Sequence, residues 1–359
     1  MSAQISQQAD EKLHLVAGSG GCRAMLANLG MLLALNWQGK LKVASMGGIS
    51  GGAIPFCLYA AGLSLEEIVD CAIGLDFETL VRPQEKLSSV LKTHYQAGRR
   101  KGRLPGKGIY SMENFAKWLE TRLKGEWPRR ELFWTMATDD NGAQVLFTEN
   151  GMFKRIQGEA FQQIAAPARP ESAICASCTV PGFFIPINLP LPTGGQLQLY
   201  DGALSFEGTR PLSVVDFFAF KQGTRLVFCD VGAERNNYDR LYNSIWRIIC
   251  GGRCLPSYKA KTGEKNFGMP VVEILPTVTA VRSFEFSAPA SRKWKAILEG
   301  FAATTQALTR SGLLSLEETM QARGLLQEVE HLEKACQEER LDFSVKLRAL
   351  LILRGVLKS

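Results

Sequence analysis

Apolar residues along this chain fall into two periodicities, and their order points to an α/β architecture. Short apolar runs at residues 13–17 and 41–44 each end in a glycine-rich turn, and each turn leads into an apolar stretch long enough for a helix. That is strand, tight turn, helix, twice over. Further strand-like runs at 132–137, 143–147, 197–200 and 225–230 alternate with helical patterns, as expected of a sheet flanked by helices. Leu226, Val227, Phe228 and Cys229 form an unbroken apolar run, which predicts a strand buried on both faces. Beyond about residue 285 the apolar spacing lengthens to three and four, so the chain from Trp294 onward reads as helical. The expected organisation is a polar extension over 1–12, a sheet-containing domain over 13–285 and a helical region over 286–359. That last region is a lid, a cover for the sheet or an oligomer contact; amphipathicity alone does not choose.

Composition narrows the setting. The 359 residues, 46% of them apolar, suffice for one large or two ordinary domains with a sizeable core. Residues 1–12 are polar, unlike a secretory leader, and the longest apolar stretches are about half the roughly twenty residues that span a bilayer. Nine scattered cysteines predict free thiols in a reducing, cytoplasmic compartment. The net charge of +7 is concentrated. Residues 86–107 hold Lys86, Lys92, Arg99, Arg100, Lys101, Arg103 and Lys107 with no acid, and 246–265 hold Arg247, Arg253, Lys259, Lys261 and Lys265 beside Trp246, Ile248 and Ile249. Basic residues next to aromatics suit peripheral docking on anionic headgroups, at about 1 kcal/mol per cation near the surface. A solubilising loop is the plainer alternative. Neither stretch carries a base-reading motif, so no nucleic acid is expected as partner.

The glycine turns carry the candidate chemistry. Gly48-Ile49-Ser50-Gly51-Gly52 has the G-x-S-x-G spacing of a nucleophile elbow, in which a sharp strand-to-helix bend lifts a serine hydroxyl above the sheet. Gly18-Ser19-Gly20-Gly21-Cys22-Arg23, the earlier turn, offers backbone N–H groups at a helix start to a developing oxyanion. A nucleophile and an anion cradle together imply a serine hydrolase. The usual base is scarce. His14 lies inside the first strand pattern, His94 in a basic stretch, and His331 on a charged helical face between Glu330 and Glu333. A carboxylate can take the role instead. Asp201 ends an alternating apolar run and precedes Gly202 and Ala203, although local sequence alone reads Asp-Gly as a turn. The nine cysteines show no paired C-x-x-C clusters of zinc spacing, and Cys250 with Cys254 lacks a second pair or a histidine partner, so the scheme requires no metal or other cofactor.

Taken in order, these segments resemble the patatin-like phospholipases. The first turn, with its Arg23-Ala24-Met25 ending, is also similar to the oxyanion segment of the cytosolic phospholipases A2. Gly48 to Gly52 matches the family elbow, and Asp201-Gly202-Ala203 its aspartate motif. Ala176-Ser177-Cys178-Thr179-Val180-Pro181 resembles the family's Ala-Ser-x-x-x-Pro segment, and Gly108-Ile109-Tyr110-Ser111 with Phe115 and Leu119 the lead into one of its helices. The likeness runs over about residues 13–230. Ser19 stands where the family has its first oxyanion glycine, and Ala24 where patatins have glycine.

The resemblance implies a three-layer α/β/α sandwich around a mostly parallel sheet, and a Ser-Asp dyad in place of a triad. Ser50 is then the nucleophile and Asp201 the base. Gly20 and Gly21 supply the oxyanion N–H groups, Gly48 and Gly52 shape the elbow, and Arg23 steadies the oxyanion turn or meets a lipid phosphate. The implied activity is acyl-ester hydrolysis of phospholipids at a membrane surface, with an activator or a second copy of the chain as possible partners. Two alternatives stay open: an esterase for a non-phospholipid ester, and a non-catalytic membrane-binding regulator.

Overall fold

The computed structural model describes residues 12–76, 80–99, 107–128, 132–156, 159–205, 207–208, 210–218, 224–232 and 269–358. The basic stretch 246–265, residues 100–106 of the first basic stretch and the extension up to residue 11 lie outside the described residues.

The two strand-turn-helix units form as the pattern predicts. Strand β1 (Lys12–Ala17) leads into helix α1 (Gly21–Trp37), and β2 (Val43–Gly48) into a 3₁₀ turn (Ser50–Gly52) and helix α2 (Ala53–Ala60). Strand β2 runs four residues past the apolar run that announces it, because Ser45, Gly47 and Gly48 pair in the sheet without looking like strand formers. Helix α3 (Leu65–Gly74) opens with a capping box in which the Ser64 hydroxyl and the Glu67 carboxylate satisfy each other's backbone N–H groups. Then follow β3 (Arg82–Pro83), α4 (Leu87–Arg99), β4 (Gly108–Ser111) and α5 (Glu113–Leu123). The middle of the chain adds β5 (Leu132–Asp139), β6 (Gln144–Thr148), β7 (Gly151–Arg155), β8 (Gln162–Ala165) and α6 (Pro170–Cys178). After these come β9 (Gly182–Phe184), β10 (Ile187–Pro190), β11 (Gln196–Asp201), α7 (Val214–Phe218), β12 (Thr224–Cys229) and β13 (Val271–Ile274). The C-terminal region is three helices, α8 (Ala290–Arg310), α9 (Leu316–Glu339) and α10 (Phe343–Leu353).

The central sheet is ten-stranded, with the path β13-β12-β1-β2-β5-β6-β7-β8. From β13 through β5 every neighbouring pair is parallel; from β5 through β8 the strands form an antiparallel meander. One edge of β5 is shared. Its first half pairs with β2, ending at Gly48 opposite Thr135, and its second half pairs antiparallel with β11, ending at Asp201 opposite Ala137. The end of β2 and the end of β11 therefore meet head-on along one strand.

Side chains alternate across the sheet as a two-residue repeat requires. Leu13, Leu15 and Ala17 of β1 and Val227 and Cys229 of β12 join the larger core under α1, α2, α3 and α8, while Val16, Leu226 and Phe228 join a second core with Val214 and Val215 of α7. The result is the three-layer α/β/α arrangement, with helices on both faces of the sheet. Helix α8 lies on α1 at backbone contact: a Cβ at Gly30 would stand 2.0 Å from the Ile297 carbonyl oxygen, and one at Gly300 2.3 Å from that of Ala27. No described helix is long and apolar enough to cross a membrane.

Candidate active site

The two glycine turns lie side by side at the carboxyl end of the parallel strands, where open α/β sheets bind ligands. Ser50 follows β2 with φ 55°, a left-handed conformation that a serine adopts only under tertiary constraint. The constraint is visible. A Cβ at Gly51 would stand 2.1 Å from the Gly21 carbonyl oxygen, and one at Gly52 2.2 Å from that of Gly18. The elbow therefore presses its backbone directly onto the first turn, and G-x-S-x-G with its extra glycine reads as a packing requirement. Gly48 meets Ala17 in the same way, at 2.4 Å.

The first turn is left-handed at Gly21 (φ 56°), with Gly20 at φ 152°. The Cys22 N–H donates to the Ser283 carbonyl at 2.7 Å, whereas the Gly20 and Gly21 amides have no acceptor among the described residues. Arg23 is buried, and its guanidinium donates to three carbonyls: Val278 at 3.3 Å, Gly232 at 3.2 Å and Val231 at 3.0 Å. Of the two roles open to it from sequence, this geometry favours bracing the turn over meeting a phosphate.

Strand β5 acts as a template for the site. The Thr135 hydroxyl donates to the Gly48 carbonyl (3.0 Å), the Thr138 hydroxyl to the Gly202 carbonyl (3.2 Å), and the Met136 carbonyl accepts from Ser177 (2.7 Å). The Ser177 hydroxyl also accepts the Ser50 N–H at 2.9 Å, and the Asp201 N–H donates to the Thr179 carbonyl at 2.7 Å. One three-residue segment at the end of α6 thus holds the backbones of both Ser50 and Asp201. Gly202 completes the fit, since a Cβ there would stand 1.9 Å from the Ile49 side chain. The Asp-Gly pair is a turn and also the close approach of the aspartate segment to the elbow.

Asp201 is buried, its Oδ1 accepting the Ala203 N–H at 2.9 Å. Burial is the main influence on its carboxyl and pushes the pKa up to about 6, while Ser50 and the Ala203 amide pull the other way. Oδ2 accepts no hydrogen bond of good geometry, although Ser50 is close enough to draw the carboxyl pKa down. Such a contact commonly tightens only when substrate is bound.

Ser50 lines an apolar cleft together with Gly21 and Gly51. Ile54, Leu80, Val81, Met112, Phe115 and Phe184 line it, and so do Phe284 and Phe286. Among the described residues no histidine lines it. His14 is buried in β1 with Nδ1 2.8 Å from the Ser45 hydroxyl, and burial lowers its pKa to about 4. His331 is exposed on α9, and the side chain of His94 lies outside the described residues. Cys178 also lines the cleft, but burial and the nearby Asp201 raise its pKa well above the ordinary thiol value, which leaves it protonated. Among the described residues no cluster of ligands could hold a metal ion.

Sequence reasoning passed over the roles of Ser177 and Thr179, although the segment holding them was noticed. Their signal was a hydroxyl pair set among small residues just before Pro181. Phe284 and Phe286 had no signal at all, since they sit in irregular chain far from either glycine turn.

The family model for patatin-like phospholipases matches residues 15–212. Among solved structures, VipD from Legionella pneumophila is similar over 98% of this chain and 81% of its own, at 14% identity and a TM-score of 0.43. Human GIVD cytosolic phospholipase A2 is similar over 88% of this chain, at 12% identity and a TM-score of 0.47; the chain spans 63% of that protein's length. The type III effector protein ExoU is similar over 97% of this chain and 70% of its own, at 14% identity and a TM-score of 0.38. Curated proteins give no match. With its glycine turns, elbow and aspartate segment all inside a match that covers more than half of its length, the chain belongs to the patatin-like phospholipase family.

Proposed function

We propose that this family member is a serine lipid acyl hydrolase of the phospholipase A type, using Ser50 and Asp201 as a dyad. One observation carries the reading: a strained, buried serine lines an apolar cleft and acts on the carboxyl of buried Asp201, and among the described residues that line the cleft there is no other candidate base. Ser50 Oγ attacks the ester carbonyl carbon, and its proton passes to Asp201. The negative charge on the carbonyl oxygen forms against the Gly20 and Gly21 amides. Collapse of the tetrahedral species breaks the ester C–O bond, and Asp201 returns the proton to the departing alcohol. A water, deprotonated by Asp201, then hydrolyses the acyl-serine.

Anionic headgroups complete the proposal. Val81 lines the cleft, and Arg82, Lys86 and Lys92 lie exposed in the chain that follows it. Lys107, at the end of the same basic stretch, is 3.5 Å from Glu85. In this reading the cations of the first basic stretch, which follows Val81 in the chain, meet the phosphate of a phospholipid whose acyl chain occupies the cleft.

The test is fatty-acid release from mixed phosphatidylglycerol and phosphatidylethanolamine vesicles, run beside labelling with a fluorophosphonate. Release together with labelling supports the reading. Labelling with release only from soluble esters would move the substrate to a non-phospholipid ester, and neither would leave a membrane-binding regulator.

Ser177 gives a second check. Ser177→Ala leaves the Ser50 amide and the Met136 carbonyl without their buried partner, a cost of about 1–3 kcal/mol. The expected result is a lowered melting temperature and a kcat reduced at least tenfold, with KM little changed because Ser177 does not line the cleft. An unchanged kcat would show that the elbow holds its conformation without this bond.

A further inference from the structure

Phe284 and Phe286 come from outside the family-matched residues 15–212, yet they line the same cleft as Ser50. Their segment is tied down on all sides. The Ser283 carbonyl accepts the Cys22 N–H at 2.7 Å, and the Val278 carbonyl accepts from Arg23 at 3.3 Å, so the strap is bonded to the first glycine turn itself. Helix α8 clamps it from behind: Glu299 accepts from the Thr279 amide (3.1 Å) and hydroxyl (2.7 Å), and Arg292 donates to the Ala280 carbonyl (2.7 Å) and pairs with Glu285 (2.9 Å). At the far end the Ser287 hydroxyl donates to Asp76, one residue beyond Leu75 of the cleft wall. Two successive turns, closed by Glu285 N–H to Arg282 O and Ala288 N–H to Glu285 O, each at 3.2 Å, fix the rings between these ties. Phe284 stacks on Phe183, centroids 4.8 Å apart at 22°.

Resting on the acyl-hydrolase reading above, we infer that Phe284 and Phe286 are specificity-determining residues that select long acyl chains. A carbonyl held at Ser50 places its acyl chain against the apolar lining of the cleft. The longer the acyl chain, the more of this lining it covers, and the two rings are a large part of that lining. Both rings are partly exposed in the free protein, so an acyl chain would cover apolar surface that water now touches. Because the strap is pinned at several points, the rings are held as a rigid wall, which is the arrangement that turns contact area into chain-length discrimination.

The experiment compares kcat/KM for p-nitrophenyl butyrate and p-nitrophenyl laurate in the parent protein, Phe284→Ala/Phe286→Ala and Phe284→Leu/Phe286→Leu. The laurate-to-butyrate ratio is expected to fall at least tenfold in the alanine variant and by much less in the leucine variant, which keeps apolar bulk. In parallel, displacement of a fluorescent fatty acid by laurate reports binding without turnover, and laurate should bind at least tenfold more weakly to the alanine variant. A ratio that stays constant, or laurate binding that is unchanged, overturns the inference. If the alanine pair does not fold, the leucine pair and Phe286→Ala alone supply the same two measurements. Absence of turnover in the parent would count against the hydrolase reading alone, since the displacement measurement still decides whether the rings hold the chain.

Discussion

Ser50→Ala is expected to end ester turnover, with kcat lowered on the order of ten-thousand-fold or more, because among the described residues that line the cleft no other group can form the acyl intermediate. Cys178 is the nearest alternative nucleophile, and its thiol stays protonated. Fluorophosphonate labelling should vanish with the activity while the fold persists. A sharper expectation comes from backbone conformation. At φ 55° a side chain is strained by roughly 1–2 kcal/mol, which glycine does not feel. Ser50→Gly should be as inactive as Ser50→Ala and yet more stable than it by about 1 kcal/mol, after allowing for glycine's larger unfolded-state entropy. Urea midpoints of the two variants make the comparison. Equal stability would mean that the elbow does not hold residue 50 in the left-handed region in solution, and the pre-organised nucleophile would lose its basis.

The parts of this site that were legible in sequence are those written in local pattern. The first glycine turn, the elbow and the buried strand β12 each announce themselves within ten residues, because turn chemistry and strand period are local properties. Asp201 was legible only as the end of a strand; local sequence alone would have left it a turn. What makes it a candidate base is β11 entering antiparallel on the half of the β5 edge that β2 leaves unpaired, a register that no single segment encodes. The clamp at Ser177 and Thr179 has the same character, since each bond spans residues remote in the chain. Arg23 shows a third case. Its sequence position allowed two roles, bracing the turn or meeting a phosphate, and the carbonyls of residues 231, 232 and 278 that it bonds are brought to it from remote parts of the chain. The strap over 278–288 was the least visible feature, because it is irregular chain and is held by side chains of α8.

Asp201→Asn should remove activity and raise stability together, and the pH dependence of each separates a base from a structural aspartate. In the parent, burial holds the carboxyl at about 6, so the free protein carries a protonated Asp201 below that pH. A base must be ionised; kcat/KM is therefore expected to rise with pH through about 6 and then level, with no such limb left in the variant. Turnover should fall at least a hundredfold, since the proton transfers at both acylation and deacylation pass through this group. Stability runs in the opposite direction. The carboxyl pKa is raised from 3.8 to about 6 on folding, so the folded state binds the proton more tightly. The ionised carboxylate then costs the fold on the order of 3 kcal/mol above pH 6, a cost that fades between pH 6 and pH 4 and is absent below the unfolded value. The asparagine variant carries no such charge. Its melting temperature should exceed the parent's by a margin that is widest at pH 8 and shrinks as the pH falls through 6 toward 4. Following the difference between the two proteins removes any constant effect of the amide itself. A margin independent of pH would place the Asp201 carboxyl at its ordinary value in the folded protein, and the buried base would have to be given up.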